Sequence, residues 1–281
     1  MRTKTKHSKS GSYSSFIIFT FICIIFLAPF FFMLVTSFKP GQEMLSKGLT
    51  LKINFDAMTL NNYKIIFFED NRYLIWYKNS LIITSLYTVL SLFFSSLVGY
   101  GLAVYNFKGK NLLFFIVLLV MMVPLEILLL PLYRLMITLN LMDTYLGVVL
   151  PFAVSPFAIF FFRQYIIGLP KELIEAARVD GCGEFRIFFK IIAPLMKPAF
   201  GAMAILQALT SWNAFVWPLV VLRSAGKLTL PIGLMSLLTP YGNSYDMIMP
   251  GAVMSVIPIA IIFLLNQRAF IEGLTAGSIK Q

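Results

Sequence analysis

Histidine is almost missing from this chain: His7 is the only one, and it lies in a basic, serine-rich tail. That excludes a histidine-based catalytic or zinc site. Cysteine is scarce as well. Cys23 falls in the first apolar run and Cys182 in a charged block, so the pair makes neither a disulfide framework nor a metal-binding spacing. No GxxxxGK(S/T) loop occurs, which leaves the chain without a recognisable nucleotide site of its own, and no nucleophile elbow points to a membrane-embedded enzyme. Acidic residues number 12 against 23 Lys and Arg, a net charge of +11. The basic residues are scattered between apolar runs without aromatic interleaving on one surface, so nucleic acid is excluded as a partner.

What the chain has in abundance is apolar sequence. Of 281 residues 59% are hydrophobic and only 12% charged, and the mean hydropathy is +0.84. So apolar a chain is solvated by lipid rather than folded around one soluble core. Runs of membrane-spanning length occur at 16–36, 81–105, 112–133, 145–162, 199–221 and 248–267. The expected fold is therefore an all-α membrane protein of six transmembrane helices, with both termini on one side. The first run is too long for a cleavable signal core and no small-x-small site follows it, so it is read as a retained helix. Several runs contain proline, namely Pro29, Pro124, Pro131, Pro151, Pro156, Pro218 and Pro258, as expected of kinked helices packed around a cavity.

Basic residues set the orientation. With the N-terminus inside, the cytoplasm receives fourteen of them, from the tail 1–15, the loop at Lys108 and Lys110, the segment 163–198 and the C-terminal tail 268–281. Outside lie nine, six of them in the long segment 37–80 and the rest at Arg134 and in the loop 222–247. The expected location is the cell membrane, with N- and C-termini cytoplasmic. Segment 37–80 mixes turn formers with short amphipathic pieces, either a rest for an outside partner or a solvated cap.

Between the fourth and fifth runs stands a charged block, EAARVDGCGEFRIFFKIIAP, from Glu175 to Pro194. Pro170 suits the first position of a helix, and Leu173, Ile174, Ala176 and Ala177 give that helix an apolar side. Gly181 is expected to close it in the left-handed conformation. A second segment from Glu184 alternates charge with Phe185, Ile187, Phe188 and Phe189, as if charge faced water and aromatics the membrane boundary. The predicted unit is a helix-turn-helix that either docks a water-soluble partner or anchors the bundle.

Glu175-Ala176-Ala177, Gly181, Ile191 and Pro194 resemble the EAA-x3-G-x9-I-x-L-P loop of permease subunits in ATP-binding-cassette importers, with Ala193 where leucine is usual. The resemblance extends from about Pro124 to the C-terminus. It includes Arg163-Gln164-Tyr165, Leu169-Pro170, Ser211-Trp212-Asn213, Trp217-Pro218-Leu219 and Glu272-Gly273-Leu274, and is similar to the carbohydrate-uptake branch, of which the smaller maltose permease subunit is a type. The resemblance implies a translocation pathway for a sugar, oligosaccharide or related polyol. It also implies no cofactor on this chain, because ATP is bound by two separate ATPase subunits. The remaining implied partners are a second permease subunit and an extracytoplasmic solute-binding protein. Glu175, Ala176, Ala177, Asp180 and Gly181 would then form the ATPase-coupling surface.

Polar residues within apolar runs are candidates for the pathway. Glu126 either faces a cavity, pairs with a neighbouring helix or sits at the interface. Gln207, Thr210, Ser211, Asn213 and Trp217 suit a saccharide, through amide hydrogen bonds and an aromatic face, and equally suit interhelical packing. The alternative function is an ion-coupled secondary transporter, for which Glu126 is the sole ionisable relay candidate.

Overall fold

The computed structural model describes residues 9–41, 43–44, 58–238 and 244–275. The basic tail residues Arg2, Lys4 and Lys6, the middle of segment 37–80, the tip of loop 222–247 and residues 276–281 lie outside the described residues. Every regular element among the described residues is a helix. The chain divides into two compact units, one of residues 1–71 with 236–256 and one of residues 72–235 with 257–281.

The first unit contains α1 (Lys9–Ser37) and α2 (Asn61–Lys64), which runs into a π-helical turn at Ile65–Glu69. Over residues 16–27 of α1 the Phe, Ile and Leu side chains are exposed throughout, as on a helix that faces lipid on every side. Its C-terminal end is pinned. Asn62 donates through Nδ2 to the carbonyls of Ser37 and Lys39, both at 2.8 Å, and the Ser37 and Tyr63 hydroxyls are 2.7 Å apart.

The second unit is built on α3 (Arg72–Val104). Along its chain follow α4 (Lys110–Val120), α5 (Leu125–Thr138), α6 (Tyr145–Val149) and α7 (Pro156–Ile167). Then come α8 (Glu172–Val179), α9 (Glu184–Leu195), α10 (Lys197–Trp212), α11 (Val216–Val221) and α12 (Leu230–Ser236). A last helix, α13 (Tyr245–Thr275), begins in the first unit and ends in the second.

Three helices are individually long and apolar enough to cross a membrane, and three bent pairs raise the number to as many as six. The bends are where the helices differ from the apolar runs. Run 112–133 is two helices meeting at 102° around Met121–Pro124, because Pro124 has no N–H to continue the ladder and disfavours helix in the residue before it. Run 145–162 is bent by 45°, with Ser155 accepting from the Ala158 N–H and Pro156 at the first position of α7. The third bent pair is α9 with α10, meeting at 79° around Met196, and run 199–221 is interrupted besides at Asn213–Phe215, between α10 and α11. Helix α3 starts at Arg72, nine residues before the apolar run at 81, because Tyr73, Trp76, Asn79 and Ser80 are buried by the protein.

Two cores lie at the two ends of α3. Tyr100, Phe162, Ile174, Ala177, Ile187, Phe188, Ile192 and Met203 form one. Ile83, Tyr87, Met136, Val149, Trp217 and Val221 form the other. At 1.5 Å rise per residue, Tyr100 of the first core and Ile83 of the second are roughly 25 Å apart along α3, most of the thickness of a bilayer core.

Candidate coupling surface and translocation cavity

The charged block folds as a helix-turn-helix whose turn has a specific closure. The Gly181 N–H donates to the Arg178 carbonyl and the Cys182 N–H to the Ala177 carbonyl, both at 3.0 Å, and Gly181 has φ 75°. These two bonds satisfy carbonyls that a helix end leaves orphaned, and they require a left-handed residue between them. Glu172 and Glu175 occupy the first turn of α8 and Arg178 its last, in the sense that complements the helix dipole.

The candidate coupling residues divide cleanly by exposure. Glu175, Ala176, Asp180 and Gly181 are exposed. Ala177 is buried with Ile174, and so belongs to the face that seats α8 on the bundle. Val179 at 88% and Phe185 at 75% exposure add bare apolar area on either side of the turn. The second segment departs from the expected arrangement: Ile187, Phe188 and Ile192 are buried in the bundle core rather than turned to the membrane boundary. A π-helical turn at Phe188–Ile192 shifts the register by one residue and lets these side chains share one face.

Sequence reasoning missed the joint that ties this block to the bundle. Glu184 Oε1 accepts from Arg178 Nε at 2.8 Å, across the glycine turn. Its Oε2 accepts from Tyr105 OH at 2.7 Å and Tyr100 OH at 3.1 Å, at the end of α3. The Arg178 hydrogen bond, with the tyrosine hydroxyls adding to it, holds the Glu184 carboxyl below the usual range. A glutamate six residues from an arginine is an ordinary sequence pattern, and tyrosines some eighty positions away give no local signal at all.

Glu184→Ala should loosen this joint by about 1 kcal/mol, small because the ion pair is partly solvated. Proteolytic cleavage of the 178–184 turn in the detergent-solubilised protein should accelerate about fivefold, and less for Arg178→Ala, which leaves both tyrosine bonds. Equal cleavage of wild type and Glu184→Ala would count against the joint.

Thr210 and Ser211 of α10 reach a largely apolar cavity of about 260 Å³, lined also by Tyr87, Leu125, Phe152 and Trp217. Among the described residues no charged side chain lines it. Trp217 is buried, donates its indole N–H to the Gly147 carbonyl at 3.3 Å and meets Phe152 edge-on at 5.9 Å. Gln207 stands behind the lining. Its Oε1 accepts from the Tyr87 hydroxyl at 2.8 Å, while its buried Nε2 has no hydrogen-bond partner among the described residues. Asn213 is exposed at the end of α10, where its Nδ2 donates to the Leu209 carbonyl at 3.0 Å. Glu126 is apart from this group: it is exposed in the first turn of α5, a favourable place for a carboxylate, and its neighbour Leu125 reaches the cavity instead.

The far wall of the cavity is braced by a second joint absent from the sequence reading. Asp143, at φ 56°, accepts from the backbone N–H groups of Arg223 and Ser224, both at 3.0 Å, from the Ser224 hydroxyl and from Lys227. The Ser224 hydroxyl and N–H, with that of Arg223, hold its carboxyl well below the usual carboxylate range. Nearby, Asn79 donates to the carbonyls of Gly226 and Leu228 and accepts from the Tyr145 hydroxyl.

Residues 91–270 match the family model described as binding-protein-dependent transport system inner membrane component. The chain is 56% identical over 262 residues to the arabinooligosaccharides transport system permease protein AraQ of Bacillus subtilis (strain 168), covering 93% of each. It is 53% identical over 277 residues to the protein of the same description from Halalkalibacterium halodurans, covering 99% of each. In fold it is similar to a chain of a solved bacterial ABC transporter involved in the import of the acidic polysaccharide alginate. That match has a TM-score of 0.79 at 23% identity and covers 95% of this chain and 99% of the other.

Proposed function

The chain belongs to the family of binding-protein-dependent transport system inner membrane components, and from that premise we propose that it is one of two membrane subunits of an ATP-driven importer of neutral, arabinose-containing oligosaccharides. The observation that carries the reading is the exposed face of Glu175, Ala176, Asp180 and Gly181, backed by a buried core. A face that receives mechanical work must be both accessible and firmly seated.

In this reading two ATPase subunits bind ATP and grip that face from the cytoplasm, and an extracytoplasmic solute-binding protein delivers the sugar. A second permease subunit completes the pathway, lipid solvates the outer helices, and both termini are cytoplasmic. The chain itself needs no cofactor and performs no covalent chemistry. The sugar passes the cavity of Tyr87, Phe152, Thr210, Ser211 and Trp217, where aromatic faces and hydroxyls suit a neutral saccharide and no cation among the described residues lines the wall to select an acidic one. The substrate class follows the names of the two relatives, both described for arabinooligosaccharides. An ion-coupled secondary transporter would need an intramembrane relay, and an exposed Glu126 at a helix start offers little toward one.

The test is uptake by the reconstituted complex. Proteoliposomes with ATP inside should accumulate labelled arabinotriose, and unlabelled arabino-oligosaccharides should compete while an acidic uronate oligosaccharide should not. Uptake that persists without ATP and follows a sodium or proton gradient would overturn the importer; uptake of another sugar class alone would overturn the substrate.

A further inference from the structure

A second cavity, of about 430 Å³, opens beside α8 and has a different character from the first. Lys110, Arg163, Lys171 and Arg178 line it, against the single carboxylate of Glu175. Arg178 is engaged with Glu184, but among the described residues Lys110, Arg163 and Lys171 form no ion pair with a carboxylate. Like charges brought together without counter-charges raise the free energy of the fold unless an anion joins them.

Two of these cations are held in place by the protein. Lys110 Nζ donates to the carbonyls of Ala103, at 3.2 Å, and Tyr105, at 2.7 Å, at the end of α3. Arg163 donates through Nε to the Leu102 carbonyl at 3.3 Å, and its guanidinium lies 3.7 Å from the centre of the Phe114 ring. The positive charge is thus positioned rather than dispersed on mobile side chains.

The location narrows the anion. Three helices of the spanning set turn here: α3 ends at Val104, α4 begins at Lys110 and α7 ends at Ile167. Where several spans end together, the bilayer surface is at hand. Apart from Asn106 the remaining lining is apolar, including Val104, Ile166, Ile167 and Leu169. From Lys110, α4 leads away with Leu112, Leu113 and Ile116 exposed, an apolar track for an acyl chain. A cationic floor, an apolar wall and an exposed hydrocarbon track fit an amphiphilic anion better than a free one.

We propose that this cavity binds the phosphate headgroup of an anionic phospholipid, with Lys110, Arg163 and Lys171 as its ligands. Basic recesses between helix ends on one face of a membrane are a recognised means of holding such headgroups. The assignment stands whichever solute crosses the membrane, so it does not share its fate with the importer reading.

The experiment is native mass spectrometry of the detergent-purified complex titrated with short-chain phosphatidylglycerol, short-chain phosphatidylcholine or inorganic phosphate. Phosphatidylglycerol adducts should persist on the wild type, and Lys110→Gln/Lys171→Gln should weaken them at least about tenfold. Lys171→Gln alone, at an exposed position, should give part of that loss even if the double variant folds poorly. Lys108→Gln/Lys190→Gln removes as much charge outside the cavity and should bind as the wild type does. Equal retention of phosphatidylcholine, or equal loss in both double variants, would overturn the site. Inorganic phosphate competing as well as the lipid would overturn its assignment to lipid.

Discussion

A complex carrying Gly181→Val is expected to insert and assemble but to import sugar at no more than about one tenth of the wild-type rate. The reason lies in the backbone. Gly181 has φ 75°, the conformation that lets the two turn bonds to Arg178 and Ala177 close α8. A β-branched residue there costs about 1–3 kcal/mol, and each 1.4 kcal/mol is a factor of ten in the population of the closed turn. A gate driven from 1:99 to 99:1 needs about 5.5 kcal/mol of differential binding, which a turn that opens under load cannot deliver. Space is not the limit, because a Cβ at Gly181 would meet nothing within 4 Å. The substitution series therefore has a definite order: Asn, which tolerates the left-handed region, should retain most transport, Ala less and Val least. Uptake measured in proteoliposomes, with co-purification of the ATPase as the assembly control, decides it. If Asn fails as fully as Val, the face itself and not the turn is what matters. If Val transports normally, the coupling role of this turn is wrong.

The sequence made the turn legible because its determinants are local: a helix-forming stretch, a glycine after it and an apolar side at Ile174 and Ala177 are all within one window. The membrane class was legible for the same reason, since hydropathy over twenty residues is a local sum. What stayed hidden was tertiary. Glu184 looked like a solvated charge, and its tyrosine partners lie at positions 100 and 105, brought near only when α9 packs on α3. Asp143 carries no local signal of its role, because its partners Arg223, Ser224 and Lys227 arrive from across the unit. Proline in an apolar run predicts a kink within a continuous span. At Pro124 it marks a 102° break, and the difference depends on whether neighbouring elements supply partners for the freed backbone, which no window of sequence reports. The pathway candidates separate on the same ground: Ser211 and Trp217 reach the cavity, Gln207 supports it through Tyr87, and Glu126 and Asn213 are exposed at helix ends.

Gly147→Ala is expected to reduce the yield of folded protein at least about tenfold, the largest effect of any single methyl group at the cavity wall. A Cβ at this position would stand 2.1 Å from the Leu141 carbonyl oxygen and 3.2 Å from Val221 Cγ1. The first of these neighbours is backbone and cannot rotate away. It is held besides: the Thr144 hydroxyl donates to the Leu141 carbonyl at 2.8 Å and accepts from the Gly147 N–H at 3.0 Å, so the two groups that must part are bridged by one side chain. The loop carrying Leu141 is further tied through Asp143 to Arg223 and Ser224. Relief would therefore have to come from α6, which would carry the Gly147 carbonyl away from the Trp217 indole and shift the cavity wall. Overpacking of this kind costs about 1–3 kcal/mol when side chains can yield and more when they cannot. Fluorescence-detected size exclusion of the tagged protein measures the outcome, with Gly226→Ala as the control, since a Cβ there meets nothing within 4 Å. Trp217→Phe separates the packing from the hydrogen bond: it keeps an aromatic ring against Phe152 and should cost only about 1 kcal/mol. A Gly147→Ala protein that accumulates and transports as the wild type does would show that α6 and the Leu141 loop are free to separate, and the cavity wall would then be a moving part rather than a brace.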